Sequence, residues 1–255
     1  MSIFRVDGER LKGAAPLVEG WEETMLDSCL LGIMGEVYTD RLETLDAAQF
    51  LIGDFCFFAG EPREELVCNR PRHSGFAIMC GDGEGWHKLI EQVYGKRAKK
   101  VARYAMKKEG DVFDRTKLCQ AAGSLPKGYE MRLIDARIYR MTQEEEWSKD
   151  LCSQFPDAED YVKRGVGIGV LHRGKLAAGA SSYTVYDKGI EIEIDTKPEY
   201  RRQGLAYAAG AGLILECLRR GLYPSWDAQN LWSVALAEKL GYHVDHEYTA
   251  YEVMW

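Results

Sequence analysis

Long apolar segments are missing from this chain of 255 residues. No uncharged apolar run reaches the ~18 residues that a membrane-spanning helix requires, so we expect no membrane partner. The opening residues, MSIFRVDGERLKG, carry charges where a signal peptide needs an apolar stretch. The seven cysteines are dispersed, with no CxxC pair and no histidine cluster at the spacing of metal ligands. The sequence therefore predicts a cytoplasmic protein with reduced thiols and no bound metal.

Basic charge is in the minority, since 33 Lys and Arg face 40 Asp and Glu and give a net charge of −7. Nucleic-acid-binding domains are usually basic. We therefore predict no nucleic-acid partner and favour a small cationic or neutral molecule. One local exception is the basic run at residues 96–108, in which Tyr104 is the only aromatic residue. A solvated surface is the default interpretation of such a run, and contact with single-stranded nucleic acid is its alternative.

The length of the chain exceeds the usual size of one domain and predicts two domains of modest size or one large domain. The segment GSLPKG at 123–128 collects Gly, Ser and Pro between two periodic segments and is the best linker candidate. We therefore predict an N-terminal α/β domain over residues 1–125 and a second domain over 129–255. Within the first domain, apolar spacing predicts helices at 22–32 and 46–52, and apolar runs bounded by Gly predict short strands.

The second half of the chain predicts a regular succession of elements. Alternating residues over 131–139 predict a strand, and Thr142 followed by Glu145 predicts a capping box that opens a helix. A hairpin, another strand and a long apolar helix come next, followed by a short strand, a helix at 231–240 and a last strand pair. The predicted order is β, α, α, β, β, β, α, β, α, β.

The stretch EIEIDTKPEYRRQGLAYA at 191–208 places a basic, glycine-bearing loop directly after a strand. Pro198 ends the strand, because proline cannot continue a hydrogen-bonded ladder. The loop then opens the long apolar helix with Gly204 and Ala206, which are small enough for a ligand to approach the backbone. The unpaired N–H groups of a first helical turn, the helix dipole and two arginines all favour an anion. We predict that this loop binds a pyrophosphate.

This loop, RRQGLA, resembles the R/Q-x-x-G-x-G/A loop with which the GNAT (GCN5-related) acyltransferases bind acetyl-CoA. The segment NLWSVALAEKLGY at 230–242 resembles their second signature, an Asn that opens a helix ending in Lys-Leu-Gly-aromatic. Within the superfamily, the full length of the chain is similar to the branch that contains the zwittermicin A resistance acetyltransferase. The resemblance implies an α/β fold of the α+β kind, with a mixed, mostly antiparallel central sheet flanked by helices over 129–255.

The resemblance also implies contacts with acetyl-CoA. The strand backbone before the loop should pair with the pantetheine arm, the loop amides should hold the pyrophosphate, and side chains of the second signature should face the thiol. The predicted cofactor-binding residues are Ile194, Asp195, Thr196, Arg201, Arg202, Gln203, Gly204, Leu205, Ala206, Asn230 and Ser233. Helix capping is the alternative role of Asn230, because its residue type suits that position.

Three carboxylates alternate with isoleucines on the strand before the loop. Glu191, Glu193 and Asp195 lie on one face of this strand. A sheet covered on both sides normally has two apolar faces, so the acids predict a polar cleft beside the acyl end of the cofactor. We predict that they supply the catalytic base for an amine, with at least one pKa raised by mutual repulsion, and that Glu191 also binds the substrate. A solvated face, or pairing with cations of a neighbouring helix, is the alternative.

The general acid of many GNAT enzymes, a Tyr in the second signature, has no counterpart here, because Ala237 stands at that position. Tyr207, Tyr223 or Tyr242 could protonate the leaving thiolate instead, or water could do so. Tyr242 is better explained as a core aromatic residue that follows the turn at Gly241.

A second glycine-rich turn, CGDGEGW at 80–86, lies between a predicted strand and a predicted helix. Its spacing is not GxGxxG and it contains two acids, so a plain strand-to-helix turn is favoured over a phosphate site. If the first domain is a degenerate copy of the acyltransferase fold, this turn is the candidate counterpart of the loop at Arg201.

Trp226 and Asp227 follow the strand that should diverge from the acidic one, so we predict both in the acceptor site; starting a helix is the alternative for Asp227. Together these features predict direct transfer of acetyl from acetyl-CoA to a primary amine of a small acceptor, with antibiotics among the candidates. Neither signature contains a cysteine, which disfavours a covalent enzyme intermediate. A CoA-binding regulator without turnover and an acetyltransferase for protein or peptide amines are alternatives, and a homodimer is compatible with the sequence.

Overall fold

The computed structural model describes residues 2–71 and 75–255. Its helices are, in chain order, α1 (Thr24–Leu30), α2 (Glu64–Cys68), α3 (Glu84–Tyr94), α4 (Arg115–Ala122), α5 (Ala136–Thr142), α6 (Ala158–Arg164), α7 (Leu205–Arg220) and α8 (Leu231–Leu240). Its strands are β1 (Phe4–Val6), β2 (Glu36–Thr39), β3 (Ala47–Ile52), β4 (Phe55–Gly60), β5 (Phe76–Gly81), β6 (Ala98–Met106), β7 (Tyr129–Leu133), β8 (Gly167–His172), β9 (Lys175–Tyr186), β10 (Gly189–Thr196), β11 (Tyr223–Ser225), β12 (Asp227–Ala228) and β13 (Val244–Met254). Short 3-10 segments are Gly8–Gly13, Ala15–Val18, Gly95–Arg97, Glu146–Leu151 and Pro198–Tyr200.

The chain divides into two compact units. The first comprises the residues up to Arg103 together with Glu247–Trp255, and the second comprises Tyr104–His246. The C-terminal residues therefore belong to the unit that contains the N-terminal half. The predicted division into domains near residues 125–129 stays a prediction.

The first unit contains a sheet in the order β1-β2-β3-β4-β5, with the end of β13 beside β5. Neighbouring strands are antiparallel except β4 and β5, which run parallel from Phe55 opposite Ile78 to Phe58 opposite Gly81. Helix α3 contributes Trp86, whose ring stacks on that of Phe58 with the centroids 5.1 Å apart. Both side chains belong to one fully buried apolar cluster. Burial of large aromatic surfaces therefore stabilises this unit.

The second unit contains a five-stranded sheet in the order β11-β10-β9-β8-β7. Strands β10 and β11 are parallel and the other neighbours are antiparallel. Residues of β12 also pair with the end of β6. The predicted hairpin of β8 and β9 is confirmed, and it turns at Arg173 and Gly174, whose positive φ angles suit a two-residue turn. The mixed, mostly antiparallel sheet flanked by helices is thereby confirmed.

Both faces of the five-stranded sheet are covered. Helix α7 lies on the isoleucine face of β10, where a Cβ at Gly210 would come within 3.1 Å of Ile194 Cδ1. The 3-10 segment Glu146–Leu151 lies on the opposite face, where a Cβ at Gly179 would come within 2.6 Å of Leu151 Cδ1. Glycine at these two positions therefore permits the close approach of both covering layers to the strands.

Two predicted elements have a different type or extent in the structure. Residues 46–52 were predicted as a helix, yet Ala47–Ile52 form β3, which is almost entirely buried and pairs with β2 on one edge and β4 on the other. This sheet environment outweighs local apolar spacing. The predicted strand at 131–139 ends at Leu133, because Asp135 caps the start of α5 by accepting hydrogen bonds from the backbone N–H groups of Arg137 and Ile138.

Thr142 does not open a helix, which corrects the predicted capping box. It is the last residue of α5, and its hydroxyl donates to the carbonyl oxygen of Tyr139 at 2.7 Å. The segment after it is 3-10 rather than α-helical, and its N-cap, Glu145, has no side-chain capping bond. The predicted helices of the two signatures are confirmed as α7 and α8, whereas the last predicted strand pair is the single strand β13.

Candidate active site

Strands β10 and β11 begin side by side and then separate. Gly189 lies opposite Tyr223, and their pairing ends where Glu191 lies opposite Ser225. Strand β11 stops there, whereas β10 continues to Thr196. Within the described part of the chain, the rest of β10 pairs only with β9. Its other edge therefore offers main-chain N–H and C=O groups to an extended ligand.

The three acidic side chains share one face of β10 but differ in their access to solvent. Glu193 lies beside Ser181 of β9, and Asp195 lies beside Gly179. Glu191 is only 3% exposed, whereas Glu193 and Asp195 are partly exposed. The register of β9 and β10 shifts directly after Glu191, and such irregularities redirect side chains near active sites. Glu193 and Asp195 are therefore the two acids of this strand that a ligand could reach, and Glu191 is not accessible.

The segment Glu146–Leu151 packs on β9 and β10 beside these acids. Lys197, just after β10, binds Glu145 Oε1 through its Nζ atom at 2.9 Å and so holds the segment in place. The indole Nε1 of Trp147 is buried and has no hydrogen-bond partner among the described residues. Buried polar groups normally have a partner, so Trp147 is a candidate contact for an acceptor. Neither signature contains it, and no sequence pattern singled it out.

Burial raises the pKa of Asp195 above its ordinary value, and the negative charge of Asp150 on the covering segment acts in the same direction. The backbone N–H of Thr196, 2.6 Å from Asp195 Oδ1, and the guanidinium of Arg201 act against this rise. The predicted increase in a carboxylate pKa is therefore present. Its main cause is desolvation, rather than the repulsion along the strand that the sequence suggested.

The predicted anion-binding loop joins β10 to α7. Arg202 and Gly204 have left-handed backbones, with φ angles of 61° and 79°, a conformation that is uncommon for a residue with a Cβ. Gly204 is the N-cap of α7, and no described side chain caps this helix. A Cβ at Gly204 would meet no described atom within 4 Å. The uncapped first turn and the open space in front of it suit an anion.

The two arginines of the loop have different contacts. Arg201 Nε donates to the carbonyl oxygen of Thr196 at 3.1 Å, and its guanidinium lies 3.7 Å from Asp195 Oδ1. Arg201 thus closes the turn after β10, whereas Arg202 is exposed. The hydroxyl of Thr196 is buried and has no hydrogen-bond partner among the described residues. The exposed side chains of this loop that a bound ligand could contact are therefore those of Arg201, Arg202 and Gln203.

The start of α8 is organised by internal hydrogen bonds. Asn230 Oδ1 accepts from the backbone N–H groups of Trp232 and Ser233 at 3.0 Å each, which confirms the capping alternative. Ser233 Oγ accepts from the indole Nε1 of Trp226 at 3.0 Å. Trp226 is buried and packs edge-on against Tyr242. The predicted cofactor contacts of Asn230 and Ser233 and the predicted acceptor contact of Trp226 stay predictions.

Two of the three candidate general acids have hydroxyl groups that are engaged elsewhere. Tyr242 is a core residue, as predicted; its hydroxyl donates to the carbonyl oxygen of Pro224 at 2.6 Å, and burial raises its pKa. The hydroxyl of Tyr223 donates to the carbonyl oxygen of Lys107 at 3.1 Å. Tyr207, which is half-buried in the first turn of α7, is the third candidate.

The thiol beside the acidic face is a poor nucleophile. Cys152 is buried and hydrogen-bonded to Ser181, the neighbour of Glu193, and burial raises its pKa to about 11. Burial likewise raises the pKa of Cys217, in α7, to about 12. Because the thiolate is the reactive form, neither side chain suits a covalent intermediate at neutral pH.

Asp227 lies on β12, opposite Ala105 of β6, and not at a helix start. Its predicted acceptor contact stays a prediction. In the described ranges, no group of three or more His, Cys, Asp and Glu side chains could hold a metal ion. Among the same residues, no helix combines the length and apolar character of a membrane span.

Residues 15–251 match the family model described as GNAT acetyltransferase. The chain is similar to a GCN5-related N-acetyltransferase-like protein from Streptococcus suis 89/1591, with 43% identity, a TM-score of 0.91, and coverage of 95% of this chain and 98% of that chain. It is 30% identical over 210 residues to the uncharacterized N-acetyltransferase YdfB of Bacillus subtilis (strain 168), covering 70% of this chain and 77% of that protein.

A shorter match concerns the [ribosomal protein bS18]-alanine N-acetyltransferase of Escherichia coli (strain K12). It is 34% identical over 89 residues, which are 34% of this chain and 60% of that protein. The family match, by contrast, extends over most of the chain and includes the loop at Arg201 and the start of α8. The chain therefore belongs to the GNAT acetyltransferase family of N-acetyltransferases.

Proposed function

We propose that this protein transfers an acetyl group from acetyl-CoA to a primary amine of a small, cationic acceptor. The observation that carries the proposal is the separation of β10 from β11. It exposes one edge of a strand that has carboxylates on one face and leads directly into an uncapped helix start. The free edge of β10 can thus bind an extended ligand, the helix start after it can bind the anionic end of that ligand, and the carboxylates can bind an ammonium group.

The loop fits the donor by two criteria. GNAT enzymes generally use acetyl-CoA, whose pyrophosphate needs N–H donors and room at the backbone. Gly204 leaves that room, and Arg202 adds positive charge next to it. Residues 192–196 of β10 would bind the pantetheine arm as an added strand. The hydroxyl of Thr196, buried without a described partner, would gain one in the complex.

The acceptor is proposed from charge and access. Glu193 and Asp195 are partly exposed, and Asp150 adds a third negative charge close to Asp195. This charge attracts a cation, and Trp147 belongs to the 3-10 segment that packs on the same strands. We also propose that the chain belongs to the zwittermicin A resistance branch, which its sequence resembles, so aminated small molecules, antibiotics included, are the first acceptors to test.

The chemistry assigned to the protein is deprotonation and positioning. Bound acetyl-CoA supplies an acetyl group activated as a thioester, and its thiol leaves as the amide forms. Glu193 accepts the proton that the acceptor ammonium must lose before its nitrogen can attack. Tyr207 or water returns a proton to the departing sulfur. Direct attack is favoured over a covalent enzyme intermediate because burial keeps the nearby thiol of Cys152 protonated.

We further propose that the first unit is a degenerate copy of the fold that binds no donor. The parallel strands β4 and β5, each followed by a helix, repeat the order β10, α7, β11, α8. By this correspondence, the counterpart of the loop at Arg201 is the segment after β4, and not the glycine-rich turn at 80–86. That segment carries Glu61, Glu64 and Glu65, which would repel phosphates. Strands β4 and β5 also stay paired to the end of β5. We expect one CoA site per chain.

A second candidate function is acetylation of a protein or peptide amine. It is favoured by the match to the bS18 alanine acetyltransferase, although that match includes only 34% of the chain. A regulator that binds CoA without turnover is the third. The alternatives differ in a measurable way, because only the enzymes release thiol from acetyl-CoA when an amine is added.

The test is thiol release from acetyl-CoA by the purified protein with a panel of polyamines, aminosugars, aminopolyols and amine-bearing peptides. Glu193→Gln is assayed alongside Glu130→Gln, a matched control that changes an exposed glutamate on β7 of the same sheet. We expect turnover with small amines that is lost in Glu193→Gln, retained in Glu130→Gln, and accompanied by unchanged CoA binding. Turnover with peptides alone would favour the second candidate. CoA binding without turnover on any amine would favour the regulator.

A further inference from the structure

Three aromatic rings meet at the base of the anion-binding loop. Tyr129 begins β7, His172 ends β8, and Tyr200 closes the 3-10 turn just before the loop. The rings of Tyr129 and His172 are stacked with their centroids 4.7 Å apart. Tyr200 meets Tyr129 edge-on at 6.1 Å and His172 at 5.5 Å, and its hydroxyl lies 3.3 Å from His172 Nδ1. All three rings are half-buried.

This aromatic cluster also holds the loop from within. The hydroxyl of Tyr129 donates to Gln203 Oε1 at 2.6 Å. Gln203 lies between Arg202 and Gly204, the two residues with left-handed backbones. The loop is thus fixed on one side by the ring of Tyr200 and in its middle by the amide of Gln203. Both contacts converge on Tyr129.

A left-handed backbone at Arg202 is disfavoured for a residue with a Cβ, and it persists only where surrounding contacts impose it. Arg201 contacts Thr196 and Asp195 at the start of the loop, whereas the residues from Arg202 to Gly204 are exposed and no described side chain caps α7. Without the bond to Tyr129, the loop would sample other backbone conformations. Its N–H groups would then no longer point together at an anion.

We infer that Tyr129 is a positioning residue for donor binding: through Gln203, it holds the loop in the conformation that receives the pyrophosphate of CoA. This inference rests on the proposed function. It assigns Tyr129 no contact with the donor, and its effect is therefore expected on donor binding and not on the chemistry at Glu193. Preorganisation of this kind lowers the ordering that a ligand must impose on its site.

The experiment compares CoA binding, by isothermal titration calorimetry, in the wild-type protein, Tyr129→Phe, Gln203→Met and the double variant. Loss of one hydrogen bond predicts that each single variant binds CoA about 3- to 10-fold more weakly. The double variant should be no weaker than either single variant, because both changes remove the same bond. In turnover assays, KM for acetyl-CoA should rise by the same factor while kcat and KM for the amine stay unchanged.

The matched control is Tyr139→Phe, which removes a single tyrosine hydrogen bond, to the carbonyl oxygen of Phe155, within the same unit. We expect it to lower thermal stability and to leave CoA binding unchanged. If Tyr129→Phe binds CoA as tightly as the wild-type protein, the inference is overturned. If Tyr139→Phe weakens CoA binding as much as Tyr129→Phe does, the effect is general destabilisation and the inference is equally overturned.

Limited proteolysis separates failure of this inference from failure of the proposed function. Trypsin cleaves after Arg201 and Arg202 only when the loop opens, so Tyr129→Phe should be cut there faster than the wild-type protein, with no CoA present. Absence of CoA binding in the wild-type protein would sink the proposed function. The cleavage rates would then still decide whether Tyr129 orders the loop, since equal rates in the two proteins would refute it.

Discussion

The glycine at the start of α7 permits a paired test of the donor site. Gly204 and Gly221 are the two caps of the same helix, and both have left-handed backbones, with φ angles of 79° and 73°. A Cβ at either position would meet no described atom within 4 Å. Replacement of either residue by alanine therefore costs only the backbone preference, about 1–2 kcal/mol of unfolding free energy.

The two variants should consequently lose similar stability. For a chain of this size, a loss of 1 kcal/mol lowers Tm by about 2–4 °C. They should differ sharply in donor binding. In Gly204→Ala the methyl group enters the space where a pyrophosphate would approach the backbone, whereas Gly221 lies at the other end of α7, about 26 Å away.

Loss of one hydrogen bond from a backbone N–H to a phosphate is worth about 1.5–3 kcal/mol. Gly204→Ala should therefore weaken CoA binding by about 10- to 100-fold, and Gly221→Ala should leave it unchanged. Calorimetric titration with CoA and thermal unfolding, run on both variants, provide the measurements. Wild-type affinity in Gly204→Ala, or an equal loss in the two variants, would refute the placement of the pyrophosphate at this helix start.

Three further outcomes are expected. Trp147→Phe removes the indole N–H that is buried without a described partner. It should raise KM for the amine and leave CoA binding unchanged. An unchanged KM for the amine would exclude an acceptor contact of this side chain. Cys152→Ser should retain turnover, because a thiol with a pKa of about 11 is not the nucleophile, and loss of activity in a folded variant would contradict direct attack. A hydrogen bond from Arg219 lowers the pKa of Glu216 from 4.5 to about 2. The part of the unfolding free energy that ionised Glu216 contributes should therefore be complete above pH 4.5 and should fall as the pH drops toward 2. Glu216→Gln should be less stable than the wild-type protein at pH 7 and lose that difference near pH 2 in denaturant titrations; a constant difference would contradict this reasoning.

The elements that could be predicted from sequence were those with several agreeing signals. Helix α7 combines a loop with Gly204, a long apolar run and a closing Gly221, and α8 begins with an Asn that caps it. Strand β3 could not be distinguished from a helix, because a short apolar run fits either structure and its spacing does not contain the pairing with β2 and β4 that decides between them. The pattern at Thr142 and Glu145 fits a capping box by spacing alone, and spacing does not report the backbone conformation that a cap needs.

The candidate site likewise contains features that could be predicted from the sequence and features that could not. The three acids of β10 and the anion-binding loop follow one another in the sequence, so their proximity follows from β10 and the turn after it. The contacts that distinguish the three acids come from elsewhere in the chain: Asp150 raises the pKa of Asp195, and the segment Glu146–Leu151 that contains it packs on β9 and β10. The bond from Tyr129 to Gln203 joins residues 74 positions apart. Such pairs depend on the order of strands in the sheet, which no local pattern contains.

The assignment of the C-terminal residues to the first unit has a consequence for biosynthesis. Strand β5 is made early, yet its neighbour in the sheet is the end of β13, where Tyr251 lies opposite Met79 and Met254 opposite Phe76. A ribosome must therefore finish nearly the whole chain before the first unit can close its sheet. Until then β5 presents an unpaired, apolar edge, which is the kind of surface that nascent chains expose to chaperones or to one another. The first unit thus depends on β13, and deletion of residues 251–254 should damage the unit whose other strands are synthesised first.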